Sequence, residues 1–116
     1  MKHDLSSVRR NGDRGILEEL LRRDDPLTEP RHTLVFFHVL KDEARPAEIV
    51  LNPLALRATQ NGWRVAGMDS TGVIIETERS ADPNSVNAMS SLMEAWAEEF
   101  GVEYDGWECA VCAEGK

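Results

Sequence analysis

Few residues in this chain have types and spacing that could do chemistry: Cys109 and Cys112, the histidines His3, His32 and His38, and the acid-rich run "EYDGWE" from Glu103 to Glu108. A C-x-x-C pair serves as a redox couple or as half of a zinc site. The redox use wants the first cysteine at a helix N-terminus, where the dipole lowers the thiol pKa. Here the pair follows an extended-looking run, and an offset of three along a strand sends two side chains to opposite faces. No second C-x-x-C completes a zinc tetrad. Two free, reduced thiols and no bound metal are therefore expected. His32 and His38 fall at matching parity on one apparent strand, about 20 Å apart in extended geometry, too far to share an ion. They read as strand-end or satisfied core histidines.

Glu103 and Asp105 share a strand parity, so their carboxyl groups could project together. General acid–base work needs more: a pocket that pushes two pKa values apart, and a nucleophile or activated water. An exposed strand supplies neither. Gly-rich phosphate loops, Ser–His–Asp spacing and H-E-x-x-H are absent. The chain carries no visible catalytic set and no cofactor site, and "EYDGWE" reads as partner surface or as a solubilised strand edge.

Charge sharpens that reading. The net charge is −8 over 116 residues. Residues 1–75 hold eleven acids and eleven bases, whereas residues 76–116 hold ten acids against Arg79 and Lys116. A surface of that sign repels nucleic-acid phosphates and attracts basic partners. The longest apolar stretch, Leu34–Phe37 with Val39 and Leu40, is far short of a membrane span, and "MKHDLSSVRRNGDRG" has no apolar signal region. A cytoplasmic protein without membrane or direct nucleic-acid contact is the expectation.

The elements that must position these residues follow from periodicity. Residues 1–12 lack a pattern and read as a mobile segment, leaving 13–116 as one domain. "DRGILEELLRRDD" predicts a helix with Ile16, Leu17, Leu20 and Leu21 as its stripe. "RHTLVFFHVL" is apolar at both parities, as a central strand with both faces covered would be. "NPLALRATQNG" predicts a second helix, with Asn52 as N-cap and Pro53 in its first turn. "WRVAGM" and "GVIIETE" around "DST" predict a hairpin. In "ADPNSVNAMSSLMEAWAEEFG", Asp82 caps a long helix, Pro83 starts it, Gly101 ends it, and Val86, Met89, Met93, Trp96 and Phe100 share a face. "VEYDGWECAVC" is a last strand. Helix followed by β-α-β-β-α-β predicts an α+β fold of the ferredoxin-like kind, a four-stranded antiparallel sheet with an extra N-terminal helix. Its second and fourth strands lie at the edges, and Gly106 marks a bulge.

"EEFGVEYDGWE", an acidic helix end running into the last strand, resembles the C-terminal signature of the ribonuclease E inhibitor family, regulator of ribonuclease activity B. The likeness extends upstream through "GILEELLRRDDPLTEPR", "HTLVFFHVL" and "NGWRVAG", over roughly residues 12–110. The resemblance implies a ferredoxin-like domain without catalysis of its own, whose relatives bind ribonuclease E and reduce its cleavage of RNA. Better-known members continue into a strongly acidic tail, whereas this sequence stops at "AVCAEGK".

Together these readings predict a non-catalytic, protein-binding regulator. Its docking surface comprises Glu94, Glu98, Glu103, Asp105 and Glu108, anchored by Tyr104 or Trp107, and its partner is a basic protein segment, such as one of ribonuclease E. Trp107 has an alternative role as core under the last helix. As an edge, the last strand also offers unpaired backbone groups to an extended peptide. The competing reading is a small enzyme or ligand-binding domain on the same fold. The sheet face away from the two later helices needs a cover, either the N-terminal helix through Ile16, Leu17, Leu20 and Leu21 or a second subunit.

Overall fold

The computed structural model of the chain describes residues 5–112. Three helices lie against a four-stranded antiparallel sheet of order β2-β3-β1-β4. β1 (Arg31–Val39) and β3 (Gly72–Arg79) form the centre, paired from Arg31↔Arg79 to His38↔Gly72. β2 (Arg64–Met68) and β4 (Val102–Cys109) are the edges. β2 and β3 are the two arms of the hairpin at Asp69–Thr71, where the Asp69 carboxylate accepts from the Thr71 and Gly72 N–H groups.

The long last helix, α3 (Pro83–Phe100), forms as its sequence dictates. Asp82 accepts from the Ser85 N–H, Pro83 opens the first turn, and Gly101 at φ 70° terminates it. Val86, Met89, Met93 and Trp96 are buried against the inner side of the sheet, where they meet Val35, Phe37, Val73 and Ile75.

The second helix, α2, differs from expectation. It runs Ala47–Gln60, with Pro46 at the cap and Pro53 inside. Burial explains the earlier start: Val50, Leu51, Leu54 and Ala58 form one stripe in the core, and Val50 and Leu51 belong to it as much as Leu54 does. Pro53 is exposed, so the backbone bond that proline forfeits is lost on the solvent side, where water replaces it.

The first helix, α1 (Asn11–Arg22), corrects two further expectations. It does not cover the outer sheet face. Its Asp13 bonds Ser90 of α3 and the indole of Trp107, and Leu17 and Leu20 join the same core as α2 and α3. All three helices thus share one layer. The segment before α1 is also packed: Val8 is 1% exposed, its carbonyl accepts from Arg14, and the Arg9 N–H donates to Asn87. Of the segment expected to be mobile, residues 5–12 are therefore anchored, while His3 lies outside the described residues.

The outer face of the sheet is open. β1 turns Arg31, Thr33, Val35 and Phe37 inward, and His32, Leu34, Phe36 and His38 outward. Leu34, Phe36 and Ile74 are half-buried there by their neighbours alone.

Candidate functional site

The "EYDGWE" residues are sorted by one glycine. Val35 pairs with Trp107, but Phe37 pairs with Tyr104, so Asp105 and Gly106 stand opposite the single residue Phe36. Gly106 takes φ 101°, a conformation that L side chains rarely adopt. The extra residue resets the alternation. Val102, Tyr104, Trp107 and Cys109 face the helices, while Glu103, Asp105 and Glu108 all face outward and are exposed. Parity alone unites only Glu103 and Asp105; the bulge adds Glu108.

The two aromatics are therefore not on the acidic surface. Trp107 is 6% exposed and its indole N–H donates to Asp13 at 2.8 Å, so it is core. Tyr104 is half-buried, packed 5.8 Å from the Phe37 ring with the Arg10 guanidinium 4.6 Å from its own centroid. Burial raises the Tyr104 pKa. The same pleat that exposes the acids turns Tyr104 and Trp107 inward, toward the helices.

Glu94 and Glu98 are also apart from the strand acids. Glu94 pairs with Arg9 at 2.9 Å and Arg10 at 3.3 Å, on the helix side of the molecule. Glu98 is exposed beside a depression bordered by Arg45, which precedes α2, by Pro53 of α2 and by Phe100 of α3.

Folding redistributes the charge of the last third. Arg57 reaches Glu99 through two bonds of 2.8 and 2.7 Å, and Arg64 lies 3.6 Å from Glu76 and 3.3 Å from Glu78. His32 meets Glu76 at 2.6 Å, and Asp82 is spent on its cap. On β4, Asp105 lies 3.2 Å from His38, whereas Glu103 and Glu108 have no partner among the described residues. Of the last-third acids without an ion partner among the described residues, Glu103 and Glu108 share the outer side of one edge strand and Glu98 lies apart on α3.

The remaining candidates for chemistry are accounted for by structure. His32 and His38 are both exposed on the outer face, neither strand-buried nor paired with each other. A depression of about 300 Å³ adjoins His38, Met68 and Ile74, but its Thr71 hydroxyl is engaged with Asp69 at 2.6 Å and, among the described residues, no serine or cysteine lines it. Cys109 ends β4 and Cys112 lies beyond it, so strand parity does not relate them; both are free and half-buried. Burial raises the Cys109 pKa, opposing thiolate formation. Among the described residues no cluster of His, Cys, Asp and Glu could hold a metal ion, and no helix is long and apolar enough to cross a membrane.

The sequence profile of the family described as Regulator of ribonuclease activity B matches residues 10–109, the whole span from the start of α1 to the end of β4. The chain belongs to this family. Among curated proteins no relative matches it. The family is one of ribonuclease regulators, and its span takes in both the bulged edge and the buried Asp13–Trp107 pair beneath it.

One cluster escaped the sequence reading. Asp25 and Arg31, at 0% and 1% side-chain exposure, form a two-bond ion pair of 2.8 and 2.9 Å. The Asp25 carboxylate also accepts from the N–H groups of Leu27 and Cys112, and Arg31 donates to the carbonyls of Glu29 and Ala110. This pair fastens the α1–β1 loop and the end of β4 to one another. Arg31 as the first residue of an apolar strand was the available signal, since a charge there is buried only when paired.

Proposed function

We propose that the chain regulates a ribonuclease by binding it, with no chemistry of its own, on what we read as a ferredoxin-like scaffold. The surface is the outer side of β4, with Glu103, Asp105 and Glu108 as its charged row, and the partner contributes a basic segment. Ribonuclease E is the first candidate, given the family. The observation that carries this reading is the row of three exposed acids on one strand edge, two of them, Glu103 and Glu108, without an ion partner among the described residues, while Glu76, Glu78, Glu94 and Glu99 are each paired with an arginine. The expected site narrows accordingly: Glu94 and Glu98 lie outside it, and Tyr104 and Trp107 support it from beneath.

The test is binding of the full chain to purified ribonuclease E at low and high salt, alongside RNA cleavage by the enzyme. Each exposed ion pair contributes only about 0.2–1 kcal/mol, so the joint change Glu103→Lys and Glu108→Lys, which turns attraction into repulsion, should slow association at least several-fold and reduce its salt dependence. Unchanged binding and unchanged inhibition in that variant would refute the assignment of the surface.

A further inference from the structure

Among the described residues β4 is bonded on one side only, to β1. Between α1 and the C-terminal half of β4 lies an apolar groove of about 630 Å³. The buried side chains Leu20 and Trp107 close its bottom, Ile16 and Val111 stand at its rim, and the paired Glu19 and Arg23 of α1 and Glu108 of β4 border it. Gly12 and Gly15 border it too, on the same stripe of α1 as Ile16. A methyl group on either glycine would meet nothing within 4 Å. Glycine weakens a helix interior relative to alanine, and packing among the described residues explains neither position.

Across the strand from this groove stand the outward acids. The ladder alternates as well: the Ala110 N–H donates to the His32 carbonyl at 3.0 Å, which turns the backbone groups of Trp107 and Cys109 toward the free edge. The bulge at Gly106 confines regular pairing to the stretch beyond it, the stretch the groove borders.

We infer that an extended segment of the protein partner adds to the free edge of β4 as a fifth strand, placing alternate apolar side chains in the groove against α1 and alternate arginines or lysines over the outer acids. This rests on the protein-binding reading above and specifies the partner's pattern. Successive side chains of a strand point to opposite faces. An edge with a largely apolar groove on one face and a row of exposed carboxylates on the other therefore selects an apolar–basic alternation. Main-chain bonds to Trp107 and Cys109 supply affinity, and the two faces supply selectivity. Glu108 meets the first basic residue, and Asp105 and Glu103 continue the row past the bulge.

Three terminally blocked octapeptides test this against the full chain: alternating valine and arginine, alternating serine and arginine, and four valines followed by four arginines. The alternating valine–arginine peptide should bind about tenfold tighter than either control, the effect of burying a few methyl groups. Amide exchange at Trp107 and Cys109 should slow in that complex alone. Gly15→Leu, which fills the groove, should weaken binding of the valine–arginine peptide about tenfold without lowering the thermal midpoint, and should leave the serine–arginine peptide unaffected. Gly12→Leu provides the same comparison should Gly15→Leu fold poorly. Equal affinity for the two alternating peptides, or no protection at Trp107 and Cys109, overturns the fifth strand while leaving the acidic surface standing. Indifference of every peptide to Glu103→Lys and Glu108→Lys overturns the surface itself, and the fifth strand with it.

Discussion

The separation of a buried aromatic support from an exposed acidic row makes Asp13 the most informative residue to change. It is 1% exposed, and its carboxyl group accepts from the Trp107 indole at 2.8 Å, the Ser90 hydroxyl at 2.5 Å and the Arg10 guanidinium at 3.0 Å. Asp13→Ala removes the acceptor of all three bonds. Leaving the buried indole donor unsatisfied costs about 1–3 kcal/mol, and the Ser90 hydroxyl, which can turn toward Tyr104, loses about 1 kcal/mol. Arg10 is 28% exposed and regains water, adding at most about 1 kcal/mol. A total near 3 kcal/mol is a large share of the roughly 5–15 kcal/mol that holds a typical domain folded. Asp13→Asn is the control. Its amide oxygen still accepts from the indole, and its NH₂ donates to a Ser90 oxygen whose own proton turns toward Tyr104, 3.3 Å away. That variant should lose only about 1 kcal/mol. Urea unfolding followed by far-ultraviolet circular dichroism measures both, and partner binding is then compared where each variant is folded. An Asp13→Ala loss below about 1 kcal/mol, or an Asn variant as damaged as the Ala one, would refute the network. Lost binding in a fully folded Asn variant would mean that this support takes part in recognition.

The Asp25–Arg31 pair should show the asymmetry of buried charges. Asp25→Ala alone should cost about 3–5 kcal/mol by stranding Arg31, and Asp25→Leu with Arg31→Met should recover most of that in urea unfolding. The pH dependence follows from the same residue and from Asp82. Burial opposes ionisation of both. Arg31 and two N–H groups outweigh it at Asp25, and Ser80 and the first-turn N–H groups of α3 outweigh it at Asp82, so both pKa values are lowered by folding. A lowered pKa adds stability above the unfolded value of about 3.9 that is lost as pH falls through the folded one, so the unfolding midpoint should hold down to about pH 5 and drop below it, less steeply in Asp25→Asn. Non-reducing denaturation should expose two titratable thiols per chain, and in the folded protein Cys109 should alkylate more slowly than an exposed cysteine, because burial raises its pKa.

Most of the fold was legible because local rules and burial agree. Asp82, Pro83 and Gly101 bracket α3 with chemistry that only a helix uses in that order, and Gly106 marked a bulge that is present. The start of α2 was misread because a proline preceded by asparagine is a helix-start signal when considered locally, and the core contact of Val50 and Leu51 that outweighs it is not local. The site was half legible. Composition located the acids, but their sorting depends on a register shift that moves Glu108 to the other face, and the partners that silence Glu94 and Glu99 come from Arg9 and Arg57, 85 and 42 residues away in sequence. The position of α1 could not be read at all: an apolar stripe says that a helix is covered, not which side of the sheet covers it. Asp13, read only as a helix start, decided it by bonding Trp107.

The open outer face remains to be covered, and charge discriminates between a second copy and a different partner. The face presents Glu76, Glu78, Glu103, Asp105 and Glu108 against Arg64, already shared between Glu76 and Glu78, and against His32 and His38, already beside Glu76 and Asp105. Stacking two such faces with β4 over β4 sets acids against acids. Turning one copy so that β4 lies over β2 offers those acids only an arginine that is in use. Self-pairing therefore neutralises nothing, and the apolar contact it gains from Leu34, Phe36 and Ile74 must work against repulsion. Salt screens both situations with a Debye length of about 8 Å at physiological ionic strength, but with opposite sign. Any self-association should strengthen as salt rises, whereas capture of a basic segment should weaken. Sedimentation of the chain alone, and of the chain with ribonuclease E, across a salt series separates the two. A dimer that is tightest at low salt would refute the charge argument and make the second copy the natural cover of this face.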